Sequence, residues 1–143
     1  MSRDVLPLSG KTILVVEDEF FIALDIATEL EAMGARVSGP VSNIDDAFQR
    51  IDGAPSVSLD AAVLDVNVNG SMVYELADKL RQNKIPFVFV TGYECSNLPD
   101  RFRACLCLTK PCNERDLIAL LAKIDRDHSA SGDGKETHTF IRA

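Results

Sequence analysis

Short apolar runs recur along the chain, and each ends in a polar or charged group. Ile13-Leu14-Val15-Val16 leads into Glu17-Asp18, and Ala61-Ala62-Val63-Leu64 leads into Asp65. Pro86-Phe87-Val88-Phe89-Val90 leads into Thr91, and Leu106-Cys107-Leu108-Thr109 leads into Lys110. Unbroken apolar runs of this length read as strands buried on both faces. A weaker strand, Ala35-Arg36-Val37-Ser38-Gly39, is closed by Pro40.

Helical spacing fills the intervals. Ile22, Ile26, Leu30 and Met33 form one inward stripe over 20–33, and Gly34 stops that helix. Ser42 with Asp45 resembles a capping box opening a second helix, whose Ile44, Ala47, Phe48 and Ile51 face inward before Gly53-Ala54-Pro55 ends it. Ser71 is expected to cap a third helix carrying Val73, Leu76, Ala77 and Leu80. A short helix is expected near 97–103, followed by a fifth strand over 104–109. Asn113 with Asp116 then caps a last helix bearing Leu117, Leu121 and Ile124.

Five strands alternating with helices predict an α/β fold, a doubly wound parallel sheet covered on both faces. Ligands of such sheets bind beyond the carboxyl ends of the strands. Every polar group that ends a run lies there. Gathered at one edge, Glu17, Asp18 and Asp65 supply carboxylates for a divalent metal and one carboxylate nucleophile. Thr91 adds a hydroxyl and Lys110 an ammonium. These are the components of phosphoryl transfer.

Composition narrows the classes. The 143 residues are 46% apolar and 26% charged, which suits one globular domain without internal repeats. The net charge of −7, with no local basic stripe, argues against direct nucleic-acid binding. No apolar run approaches the roughly 18 residues of a membrane span, and Met1-Ser2-Arg3-Asp4 lacks a secretion-signal core, so a cytoplasmic protein without membrane insertion is expected. Residues 1–10 read as a short leader, 11–126 as the folded domain, and the Gly/Ser-rich 127–143 as a disordered tail. Cys95, Cys105, Cys107 and Cys112 match no zinc or redox spacing. Plain packing is the expectation for them, with a redox or metal role as the lesser reading.

Taken in order, Glu17-Asp18, Asp65, Thr91 and Lys110-Pro111 resemble the receiver domain of bacterial response regulators, the phosphoacceptor half of two-component signalling. The resemblance spans about residues 11–125. It implies a (βα)5 flavodoxin-like receiver fold with strand order 2-1-3-4-5, and a phosphoacceptor with slow autodephosphorylation rather than a metabolic enzyme. It also implies Asp65 as nucleophile, Thr91 and Lys110 on phosphoryl oxygens together with the Val66 N–H, and Mg2+ held by Glu17, Asp18, Asp65 and the Asn67 carbonyl. Implied partners are a histidine kinase or histidine phosphotransferase and a downstream effector protein. Such a chain would serve as a phosphorelay intermediate, phosphate sink or switchable binder.

Pro86-Phe87-Val88-Phe89-Val90-Thr91-Gly92-Tyr93 further resembles the Pro-Phe-x-Phe-Ala-Thr-Gly-Tyr run of receivers associated with HWE-type histidine kinases, often single-domain proteins, with Val90 in place of Ala. Cys107 occupies the position of the usual switch aromatic, and Thr91 and Lys110 are 19 positions apart, short for a full intervening helix. Tyr93 is either a substitute readout aromatic, on a loop that phosphorylation orders, or a surface packing residue. Phe21 and Leu24, outside the inward stripe, form either a kinase docking patch or scattered surface apolars. A haloacid-dehalogenase-type hydrolase generally needs a second Asp where Asn67 stands. The remaining alternative is a phosphorylation-independent interaction module.

Overall fold

The computed structural model of the protein describes residues 5–53 and 58–124. The expected tail, 127–143, lies outside the described residues. Five strands form one parallel sheet: β1 (Thr12–Val16), β2 (Arg36–Val41), β3 (Ala61–Asp65), β6 (Phe87–Thr91) and β7 (Leu106–Thr109). Their order is β2-β1-β3-β6-β7. Counting these strands alone, this is the expected 2-1-3-4-5 arrangement. A two-residue antiparallel pair, β4 (Asn67–Val68) and β5 (Ser71–Met72), follows β3.

The three central strands are buried along their whole length, which explains their unbroken apolar runs. Alternate side chains separate into two cores. Ile13, Val15, Ala61, Val63, Val88, Val90 and Leu108 face α1 (Phe20–Ala32) and α4 (Glu114–Lys123), which contribute Ile26, Leu30, Leu117 and Leu121. Leu14, Val16, Ala62, Leu64, Phe87, Phe89 and Cys107 face α2 (Ile44–Asp52) and α3 (Tyr74–Gln82), which contribute Ala47, Leu76, Ala77 and Leu80. Of the expected leader, residues 5–10 are described; Leu8 is fully buried there, and its N–H bonds the Met33 carbonyl at 2.9 Å.

Several local expectations are corrected. β2 continues through Pro40 to Val41, with a shift in register against β1. Gly39 makes this possible: its φ is +105°, and a Cβ there would lie 2.7 Å from the Val41 nitrogen. An edge strand also tolerates the missing Pro40 N–H. The cap of α2 is Asn43 rather than Ser42, its Oδ1 accepting the Asp46 N–H at 2.8 Å. Ser71 belongs to β5, and α3 begins after Val73 with no side-chain cap. Asn69 (φ +54°) and Gly70 (φ +85°) form the β4–β5 turn, the positive φ pair that an Asn-Gly hairpin favours.

The fourth crossover carries no α-helix. Two 3-10 turns, Cys95–Asn97 and Asp100–Phe102, replace it. Phe102 fills the space of the missing helix: it is fully buried, stacks on Tyr74 at 5.6 Å and meets Phe89 edge-on at 5.5 Å. The Arg101 and Arg81 guanidinium groups stand 4.6 and 4.9 Å from its ring centre. Plain packing of the cysteines is corrected too. Cys95 and Cys107 form a disulfide, whereas Cys105 and Cys112 are free thiols.

Candidate phosphoacceptor site

Parallel pairing brings the carboxyl ends of β1, β3, β6 and β7 to one edge. β3 delivers Asp65, β1 delivers Glu17 one residue past its end, β6 ends in Thr91, and Lys110 follows β7. The Lys110 N–H donates to the Thr91 carbonyl at 2.7 Å, extending the β6–β7 ladder to these two residues. Among the described residues only four polar or charged side chains are buried: Thr12, Glu17, Asp65 and Thr91. Asp65 and Thr91 end strands at this edge, and Glu17 directly follows one. Burying carboxylates is costly unless something compensates their charge.

Lys110 compensates part of it. Its Nζ donates to Glu17 Oε1 at 2.9 Å and to Asp65 Oδ2 at 3.3 Å. Asp18 is exposed, yet a carboxylate oxygen from each of Glu17, Asp18 and Asp65 lies within 4.8 Å of the others. Three carboxylates against one ammonium leave two negative charges, the complement of one divalent cation. An all-oxygen donor set suits a hard ion such as Mg2+, so these residues fit the ion that the sequence implies.

Backbone donors orient two of the carboxylates. Glu17 Oε2 accepts the Glu19 N–H at 3.0 Å, and Asp18 Oδ2 accepts the Asn69 N–H at 2.8 Å. The sequence reading gave Asn69 no role, although the Asn69-Gly70 dipeptide was the signal for a turn returning toward the site. Asn67 Oδ1 accepts the Gly70 N–H at 3.0 Å and so holds the same turn. Thr91 Oγ1 accepts the Tyr93 N–H at 3.0 Å, which ties the hydroxyl to the start of the following loop.

The charges are strongly perturbed. Asp65 titrates at about 6, raised first by burial and next by the charge of Glu17, with Lys110 opposing. Lys110 titrates above its ordinary value. Burial disfavours its charge, but the hydrogen bond to Glu17 and the charges of Asp65 and Glu17 outweigh that effect. The site is preorganised around excess negative charge.

No protein-family model matches the chain, and no curated protein matches it. Solved structures do. SdrG from Sphingomonas melonis Fr1 is 34% identical, with a TM-score of 0.67 covering 81% of this chain and 95% of that one. The response regulator PhyR from Brucella abortus is 24% identical over 87% of this chain and 52% of that chain, at a TM-score of 0.68. The response regulator TrrA from Thermotoga maritima, solved in complex with Mg2+ and BeF, is 23% identical over 80% of this chain and 99% of that one, at a TM-score of 0.69. The neighbours named as response regulators share its architecture, so the chain has the receiver fold. It has their flavodoxin-like fold, and among the described residues no helix is long and apolar enough to cross a membrane.

Proposed function

We propose that the protein is a response regulator in which Asp65 accepts a phosphoryl group from a histidine kinase or histidine phosphotransferase and which signals through a partner protein. The observation that carries this reading is the buried Asp65 carboxylate sharing one lysine with Glu17 at the end of β3. An Asp65 oxygen attacks phosphorus, the bond to the kinase imidazole nitrogen breaks, and an acyl phosphate forms. Positioning and charge neutralisation supply most of the acceleration in such transfers. Lys110 is a compact point charge on a flexible stem, able to move from Glu17 to a phosphoryl oxygen. Thr91 turns its hydroxyl from the Tyr93 N–H toward another oxygen, and the Val66 N–H serves a third. Glu17, Asp18, Asp65 and the Asn67 carbonyl would hold Mg2+, which when bound neutralises the carboxylates and the incoming phosphoryl charge.

The source of the phosphoryl group is a histidine kinase of the HWE type, a reading supported by the run Pro86–Tyr93. Its docking surface lies beside the acceptor, where Phe20 and Phe21 are 69% and 73% exposed and Leu24 is 47% exposed. Three apolar side chains on one helix face suit an apolar partner helix. The domain acts in the cytoplasm as a sink, relay or switchable binder. Incubation with a purified HWE-type kinase, ATP and Mg2+ tests this: phosphate should appear on Asp65 of the wild type and be absent from Asp65→Asn.

A further inference from the structure

The crossover between β6 and β7 joins the hydroxyl-bearing strand end to the lysine-bearing one, and a single covalent bond holds it down. Cys95 opens the first 3-10 turn, four residues after Thr91. Cys107 lies within β7, opposite Phe89 in register. The bond thus links a loop turn to a strand of the sheet, and both cysteines are buried in the core that faces α2 and α3. The loop has room to move. A cleft of about 220 Å3 lies against it, lined by Thr91, Tyr93, Asn97 and Leu98 from one side and by Val66 and Tyr74 from the other. The link to the site is short: Cys95 Sγ is 3.5 Å from the Thr109 hydroxyl, and Thr109 pairs with Thr91 across β6 and β7.

We propose that Cys95 and Cys107 form a reversible thiol–disulfide site that controls the loop 92–98, so that the loop answers phosphorylation when reduced and is held fixed when oxidised. The inference rests on the phosphoacceptor reading of Asp65. Oxidation takes two electrons and two protons from the two thiols. With hydrogen peroxide as oxidant, its O–O bond breaks and two waters leave as the sulfur–sulfur bond forms. A small dithiol reverses the step by exchange: it becomes the disulfide, and its two protons pass to the cysteine sulfurs. Both cysteines are buried in this conformation, Cys95 at 7% exposure and Cys107 fully, so a reagent meets Cys95 first once the loop opens. A crosslink removes loop conformations that the reduced chain can visit. When the Thr91 hydroxyl turns away from the Tyr93 N–H, that amide loses its acceptor, which favours a shift of the loop.

The test uses the full-length protein, reduced with dithiothreitol or oxidised with hydrogen peroxide, with the bond mapped by mass spectrometry of unreduced peptides. Amide hydrogen exchange of residues 92–98 is followed with and without Mg2+ and beryllofluoride, whose binding is monitored separately by fluorine NMR. The expected result is a beryllofluoride response in the reduced protein that is about tenfold smaller in the oxidised one. The variant Cys95→Ala should respond like the reduced wild type whether or not peroxide is added. Equal responses in both wild-type states overturn the redox inference and leave Asp65 intact. So do four free thiols after peroxide, or a peroxide-sensitive Cys95→Ala. Absence of beryllofluoride binding in either state removes the phosphoacceptor reading, and this inference falls with it.

Discussion

Lys110 Nζ stands 3.3 Å from Asp65 Oδ2, although the two residues are delivered by different strands and lie 45 positions apart. The contact makes the lysine available to whatever charge grows on Asp65. Lys110→Ala should slow phosphorylation of Asp65 by acetyl phosphate by roughly 10²-fold, the order lost when one preorganised donor is removed. Lys110→Arg should not restore the rate, because a broad planar fork cannot replace a point charge seated between two carboxylates. Phosphorylation time courses of the three proteins check this.

The raised titration of Asp65 has a consequence for stability. In the unfolded chain Asp65 ionises near its ordinary value of 3.8, whereas in the fold it keeps its proton up to about 6. Between those values the folded state binds the extra proton, so metal-free stability should fall as pH climbs from about 4 to about 6. Above that range Asp65→Asn should stabilise the metal-free protein by about 1–2 kcal/mol, a figure discounted for solvent reaching the site. Urea melts of both proteins at several pH values measure the effect.

Metal should reverse that penalty. Mg2+ at about a hundred times its dissociation constant stabilises the fold by about 2.7 kcal/mol through linkage alone. Asp18 is exposed, and its carboxylate accepts the Asn69 N–H, a bond that an Asn side-chain oxygen can also accept, so Asp18→Asn should leave the metal-free melting temperature nearly unchanged. The same substitution should weaken Mg2+ binding by about tenfold or more, in keeping with the loss of a carboxylate ligand. Thermal melts across a Mg2+ titration separate the two effects.

Phe21 tests the docking surface without touching the chemistry. At 73% exposure, its replacement by Ala should change stability by no more than about 0.5 kcal/mol. Phosphotransfer from the cognate kinase should slow about tenfold, as expected for an apolar interface anchor, while transfer from acetyl phosphate should be unchanged. Equal slowing of both reactions would argue against docking.

What the sequence revealed divides along physical lines. The apolar runs ending in Glu17-Asp18, Asp65, Thr91 and Lys110 were legible because a buried parallel strand must be apolar throughout, so its first charged residue marks its end. The cap of α2 was misplaced by one residue because Ser42 and Asn43 are both capable caps, and only backbone geometry separates them. Ser71 was assigned to a helix although Asn69-Gly70 already encoded a hairpin turn; the paired segments are two residues each, too short to show alternation. The Cys95–Cys107 bond was hidden because it depends on the path of a crossover held by Phe102, a residue whose burial no periodicity reveals. That Glu17, Asp18, Asp65 and Lys110 meet at one edge was foreseen, but the Asn69 and Glu19 amides that aim Asp18 and Glu17 were not, since every residue except proline carries an N–H.

The central claim is that Asp65 is the acceptor. The most direct measurement is peptide mass mapping of the purified protein after incubation with acetyl phosphate and Mg2+. One acid-labile phosphoryl group should be found on Asp65, lost on Mg2+ removal before the donor is added and absent from Asp65→Asn. A phosphoryl group on another residue, or undiminished labelling of Asp65→Asn, would contradict the account.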